Sequence, residues 1–145
     1  MNSHEMSLIS HCRIVELPRI RHNNGSLTFV QNTPEALFDV KRVFYLYDIP
    51  GDSERGGHSH HQAQEIIVAL SGCFDVTLHD GHESRTFTLN RPYKGLYIPA
   101  GIWRGLTNFS SGSVCLVLTS EKFYEADYVR DFDRFLELTA NKAYK

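Results

Sequence analysis

At 145 residues the chain has the length of one ordinary domain, enough to bury a core without disulfides or a structural metal. Its apolar fraction of 41%, with nine Phe and seven Tyr, excludes a disordered segment. A net charge of −2 excludes a global field that would draw in nucleic acid or a membrane surface, so an anionic ligand must be held by local Arg and Lys.

The three cysteines, Cys12, Cys73 and Cys115, are odd in number and far apart, which fits no disulfide framework. Cys73 and Cys115 fall in apolar runs and read as buried thiols. The N-terminus carries no apolar signal region, and no stretch approaches the ~20 apolar residues that span a bilayer. The expectation is a single cytoplasmic domain, residues 1–145 with a core over about 12–138.

In chain order, Asn24-Gly25 opens a first strand over 26–31. Lys41 to Tyr47 is rich in β-formers and stops at the turn Asp48-Ile49-Pro50-Gly51. His58 and His60 sit on a further strand, and Gln64 to Leu70 makes the next, closed by Ser71-Gly72. A hairpin follows: Phe74, Val76 and Leu78 alternate with polar residues, Asp80-Gly81 turns the chain, and Arg85 to Leu89 returns with Phe87 and Leu89 inward. Gly95 to Ile98 and Ser113 to Thr119 are two more strands, the latter apolar on both faces. Only the tail has helical spacing, through Tyr128, Phe132, Phe135 and Leu136, with Asp131 and Asp133 placed for its first turn. The pattern predicts an all-β, antiparallel barrel with a short C-terminal helix.

Chemistry concentrates in Gly57-His58-Ser59-His60-His61-Gln62-Ala63-Gln64-Glu65, followed after six residues by Gly72. Period-two geometry puts His58 and His60 on one strand face. This spacing resembles the first motif of the cupin superfamily, which implies a jelly-roll barrel with Glu65 converging on the histidines from the next strand. In metal cupins these residues are ligands. The second motif resembles Pro99-Ala100-Gly101-Ile102-Trp103-Arg104 with Asn108, but Arg104 stands where that motif has a ligand His. A guanidinium only donates and stays charged, so it repels a cation there. The expectation is no metal, with His58 and His60 as an acid–base pair, because imidazole titrates near neutrality.

Further segments appear in order: Lys41-Arg42-Val43-Phe44-Tyr45, Arg55-Gly56-Gly57-His58-Ser59-His60, Leu70-Ser71-Gly72, Gly95-Leu96-Tyr97-Ile98-Pro99, Asn108-Phe109-Ser110-Ser111 and Asp127-Tyr128-Val129-Arg130-Asp131-Phe132. Together they resemble the sugar-nucleotide 3,4-ketoisomerases, cupins that act on dTDP-4-keto-6-deoxyglucose in making deoxyamino sugars of bacterial surface glycans and antibiotics. Ser59 and His61 depart from the Ala and Lys of many relatives. The resemblance implies moving the ketone from C4 to C3 through an enediol or enediolate, with no redox cofactor. It implies His58 and His60 as the proton-transferring pair and Tyr45 as an oxygen-side donor. Arg42, Arg55 and Arg104 are the candidate anion holders, Glu65 a pocket residue, and Tyr97 and Trp103 candidate stacking surfaces for sugar or thymine. It also implies a homodimer.

Three alternatives compete. A cupin sugar-nucleotide epimerase would pair one His with an Asp. A non-catalytic sugar-nucleotide-binding cupin would not need two titratable imidazoles. A metal dioxygenase would need bound metal. The sequence leaves open whether C4 of the product has the gluco or galacto configuration.

Overall fold

Alternation along the chain dictates the architecture, as the registers of the computed structural model, which describes residues 8–143, make plain. In order, the strands are β1 (Arg13–Glu16), β2 (Arg19–His22), β3 (Gly25–Thr28), β4 (Arg42–Leu46), β5 (Arg55–His60) and β6 (Glu65–Ser71). There follow β7 (Phe74–His79), β8 (Ser84–Leu89), β9 (Lys94–Ile98), β10 (Trp103–Thr107), β11 (Val114–Thr119), β12 (Tyr128–Val129) and one helix, α1 (Phe132–Ala143). Two five-stranded antiparallel sheets form, ordered β1-β9-β6-β11-β4 and β12-β5-β10-β7-β8, while β2 and β3 pair only with each other.

The core fills the space between the two sheets. Ile67, Leu96, Ile98, Cys115 and Val117 of the first sheet meet Phe74, Val76, Leu78, Phe87, Leu89 and Leu106 of the second. Fully burying each such large aliphatic or aromatic side chain is worth about 1.5–3 kcal/mol. Intervening residues point outward. On β6, β9 and β11 they are still apolar, and Ile66, Val68 and Leu118 form a second cluster with Tyr97 and Leu116 packed against it. That is why β11 reads as continuously apolar.

The hairpin turns at Asp80, whose carboxylate accepts the N–H groups of His82 and Glu83 and, from far along the chain, of Ile9. The tail divides in two. Tyr128 lies in β12 rather than in the helix, because Asp131 caps α1 by accepting the Asp133 N–H at 2.9 Å. Four strands escape the periodicity reading: β1, β2, β10 and β12. β10 is Trp-Arg-Gly-Leu-Thr, with a charge at an inward position and a glycine between, so its pattern does not read as strand.

The first sheet ends at β4 and the second at β12, and among the described residues no strand ladder joins these two, so the barrel is open between these edges. The inward residues of β4 are Arg42, Phe44 and Leu46, and Phe44 and Leu46 pack against the core. No helix among the described residues is long and apolar enough to cross a membrane.

Candidate active site

One residue separates His58 from His60 on β5, so both imidazoles enter the barrel from the same face. Gly56 precedes them at a φ of +73°, where a Cβ would meet the Leu106 side chain at 2.6 Å. The register with β10 slips between the pairs Arg104–His58 and Leu106–Arg55, a bulge that aims the following residues inward. Arg104 therefore lies directly opposite His58, and Tyr128 on β12 directly opposite His60. Glu65 enters as the first residue of β6.

These side chains form one hydrogen-bonded unit. His58 Nε2 is 3.1 Å from His60 Nε2, and His60 Nδ1 is 3.0 Å from Asp127 Oδ2. The Asp127 carboxylate also accepts the backbone N–H groups of Gln62 at 2.7 Å and Ala63 at 3.2 Å, which fixes its orientation. A carboxylate only accepts, so the proton shared with Asp127 belongs to His60 Nδ1. When His60 is neutral its Nε2 is then the acceptor, the intervening proton belongs to His58 Nε2, and His58 Nδ1 keeps a free lone pair. His60 is 2% exposed whereas His58 is half-buried, so His58 is the imidazole that stands toward the opening.

Beneath the pair, Arg104 donates from Nη1 to Glu65 Oε1 and from Nη2 to the Ile102 carbonyl at 3.1 Å. Both ion-pair partners are almost wholly buried, at 1% and 2%. Burial disfavours the Glu65 carboxylate, but the Arg104 charge first, and then the neighbouring His60, override it and hold the group at about 2, against an ordinary 4.5. His58 is lowered too, which for an imidazole favours the neutral form. Burial first, then the positive Arg104 and the neighbouring His60, lower it from 6.5 to about 3. Arg42 and Arg104 balance Glu65 and Asp127, so the cluster is formally neutral when both imidazoles are.

His58, His60 and Glu65 bring ligand atoms within 4.8 Å of one another, the donor types a divalent ion takes. The Arg104 guanidinium is already paired with Glu65 and sets a fixed positive charge beside all three. This donor set does not fit a metal ion, and no step below uses one.

The remaining expectations divide. Arg42 does face inward, yet it donates to the Tyr128 hydroxyl at 3.1 Å and lies 4.8 Å over the Phe44 ring. Arg55 stands exposed at the start of β5, lining a cavity with Tyr45 and Pro50 that neither imidazole lines. Tyr45 is 59% exposed, because Arg42, Phe44 and Leu46 take the inward positions of β4 and leave it the outer face against Tyr47. It cannot reach the sugar side of the histidines. Tyr97 also points outward, between the inward Leu96 and Ile98, and donates its hydroxyl to Gln64 at 2.6 Å. Trp103 lies on the outer face of β10, wedged under α1 with ring centroids 5.2 Å from Phe132 and 5.7 Å from Phe135. Neither aromatic stacks in the site.

Sequence reasoning missed Asp127 and Tyr128 as site residues. Their signal was present: with Asp131 as the helix cap, residues 127 to 130 had to precede the helix and could pair as an extended edge. The His60–Asp127 pair also removes the contrast by which an epimerase was to be told from an isomerase. The barrel carries both a two-histidine strand and a His–Asp pair.

Comparison with known proteins places this geometry. The family described as FdtA: WxcM-like, C-terminal matches residues 10–140. The TDP-4-oxo-6-deoxy-alpha-D-glucose-3,4-oxoisomerase of Aneurinibacillus thermoaerophilus is 34% identical over 128 residues, 88% of this chain and 92% of that protein. The WlaRB TDP-quinovose 3,4-ketoisomerase of Campylobacter jejuni is 40% identical, with a TM-score of 0.83 over 89% of this chain and 99% of that one. A variant of the QdtA 3,4-ketoisomerase of Thermoanaerobacterium thermosaccharolyticum, solved with TDP-4-keto-6-deoxyglucose, is 30% identical with a TM-score of 0.88 over 92% and 97% of the two chains. A cupin barrel whose paired histidines are backed by Asp127 and an Arg104–Glu65 ion pair is thus one member of a known set: the chain belongs to the FdtA (WxcM-like, C-terminal) family.

Proposed function

We propose that His58, His60 and Asp127 form a proton relay that moves the carbonyl of a TDP-linked 4-keto-6-deoxy sugar from C4 to C3. The chain is a TDP-sugar 3,4-ketoisomerase. The observation that carries the relay is the 3.1 Å contact between the two imidazoles, with the far nitrogen of His60 bound to Asp127.

The C3 hydrogen is acidified by the neighbouring ketone. His58 Nδ1 takes it, leaving an enediolate, and the same relay returns a proton at C4. The His58 Nε2–H can pass to His60 Nε2, so the added charge settles on the imidazole paired with Asp127 and near Glu65, 3.6 Å away. In the free protein His58 is a weak base, because burial and Arg104 oppose its charge. It becomes a stronger one when negative charge develops beside it. The formally neutral cluster then gains a proton against an enediolate, and the pair stays balanced. Arg55, exposed at the start of β5 three residues before His58, is the residue we assign to the diphosphate.

Incubating the protein with TDP-4-keto-6-deoxyglucose and following the sugar by ¹³C NMR should show the carbonyl resonance leave C4 and appear at C3. A wild-type chain that leaves it at C4 would contradict the assignment. One observation favours a second reading, since a His–Asp pair also suits an epimerase. That reading predicts solvent hydrogen entering beside the ketone with the carbonyl unmoved.

We also place the protein in a reducing cytoplasm, in keeping with three free cysteines, and assign it a homodimer. The β2–β3 hairpin is exposed along nearly its whole length, including Ile20 and Leu27, and an isolated hairpin is marginal in water. A second copy would cover it. Light scattering on the purified chain should return twice the chain mass, and the mass of one chain would refute the assembly.

A further inference from the structure

Moving a carbonyl between adjacent carbons requires two kinds of proton transfer. One is between carbons, which the relay supplies. The other is between oxygens: the C4 oxygen begins as an enediolate and ends as a hydroxyl, while the C3 oxygen gives up its proton. The sequence offered Tyr45 for this task, and the structure turns Tyr45 outward.

Tyr128 stands where that group is needed. Its ring lies 4.4 Å from the His60 ring and 4.9 Å from the His58 ring, centroid to centroid, and its strand, β12, is the edge of the second sheet. Its hydroxyl accepts a hydrogen bond from Arg42 Nη2 at 3.1 Å. That bond consumes a lone pair and leaves the O–H free to donate. The guanidinium beside the oxygen also stabilises the phenolate left after donation. Arg42 Nε is buried without a partner, so Arg42 makes this contact while a second donor remains unused in the same place. Arg130 lies 4.3 Å over the Tyr128 ring, and Phe123 packs against it at 5.7 Å between centroids. The ring is thus held by the imidazoles, a cation and Phe123.

We infer that Tyr128, set against Arg42, is the acid–base group that carries the proton from the C3 oxygen to the C4 oxygen of the enediolate. Its O–H protonates the C4 oxygen, and the phenolate then takes the proton of the C3 hydroxyl. The electron pair freed on the C3 oxygen closes the new carbonyl as C4 accepts its hydrogen from the His58 relay. Tyr128 ends as it began, and atoms and charge balance with no co-reactant. The inference rests on the ketoisomerase reading above.

The test separates the two kinds of transfer. Tyr128→Phe is assayed with TDP-4-keto-6-deoxyglucose in deuterated water, recording deuterium entry at C3 and carbonyl migration from the same NMR spectra. Carbonyl migration should fall by about 10²-fold, the scale of a lost acid–base group, while C3 exchange continues, so their ratio rises at least about tenfold over wild type. Arg42→Lys keeps Tyr128 and a positive charge but removes the forked donor, and should show the same selective defect more weakly, which covers a poorly folded Tyr128→Phe. Full migration in Tyr128→Phe would overturn the inference. So would an equal loss of exchange and migration in a variant that melts like wild type. A wild-type chain that neither exchanges nor migrates would instead overturn the ketoisomerase reading, and this inference with it.

Discussion

His58→Asn should lower the turnover of TDP-4-keto-6-deoxyglucose by about 10²-fold or more, the usual scale for removal of a general acid–base group. The substitution removes the Nδ1 lone pair that we assign as the base and keeps a side chain able to hydrogen-bond His60. Folding should be little affected, because His58 is half-buried and its one hydrogen-bonded neighbour is His60. Turnover measured by NMR, alongside a thermal melt, checks both halves. Full activity with an unchanged melt would remove His58 from the mechanism. Deuterium entry at C3 should vanish together with carbonyl migration, unlike the split expected for Tyr128→Phe.

The second large effect concerns stability. Arg104→Met should destabilise the protein by about 3–5 kcal/mol at neutral pH, because it strands a buried carboxylate at Glu65. The side chain is 1% exposed, and its carboxylate partner has one oxygen, Oε2, with no hydrogen-bond partner even in the intact site. The pH dependence follows from the direction of the Glu65 shift. Its folded-state value, about 2, lies below its ordinary 4.5, so the ion pair stabilises the fold fully above that ordinary value. That contribution is lost as pH falls from 4.5 toward about 2. In Arg104→Met the main charge opposing burial is gone and the Glu65 carboxyl moves up from its wild-type position, so the variant's deficit should be largest at neutral pH and shrink in acid. Urea unfolding of both proteins across that range would show it. A deficit independent of pH would mean that lost packing, and not the stranded charge, dominates.

The legible parts of this protein were those governed by short-range geometry. Period-two spacing put His58 and His60 on one face, and the hairpin from Phe74 to Leu89 turns at Asp80 as its Asp-Gly signal predicts. The replacement of a ligand histidine by Arg104 was visible as a charge where a metal would sit, and the guanidinium pairs with Glu65. What failed was facing. Tyr45, Tyr97 and Trp103 are all large aromatics near motif residues, and nothing in their type says which way a pleat turns them. Their inward neighbours decide it: Phe44, Leu96 and Arg104 fill the barrel and force the alternate positions out. Asp127 escaped because its partner lies 67 residues away, a separation no local pattern encodes. Tyr128 was lost to helical spacing that holds only from Phe132 onward.

The account depends on His58 being neutral in the resting protein, with its Nδ1 lone pair free. Histidine ¹⁵N NMR across pH reads this directly. His58 should stay neutral down to about pH 5 and take up a proton only toward about 3, and in Arg104→Met its titration should move upward. A His58 imidazole that titrates near its ordinary 6.5 in the wild-type protein would contradict the account.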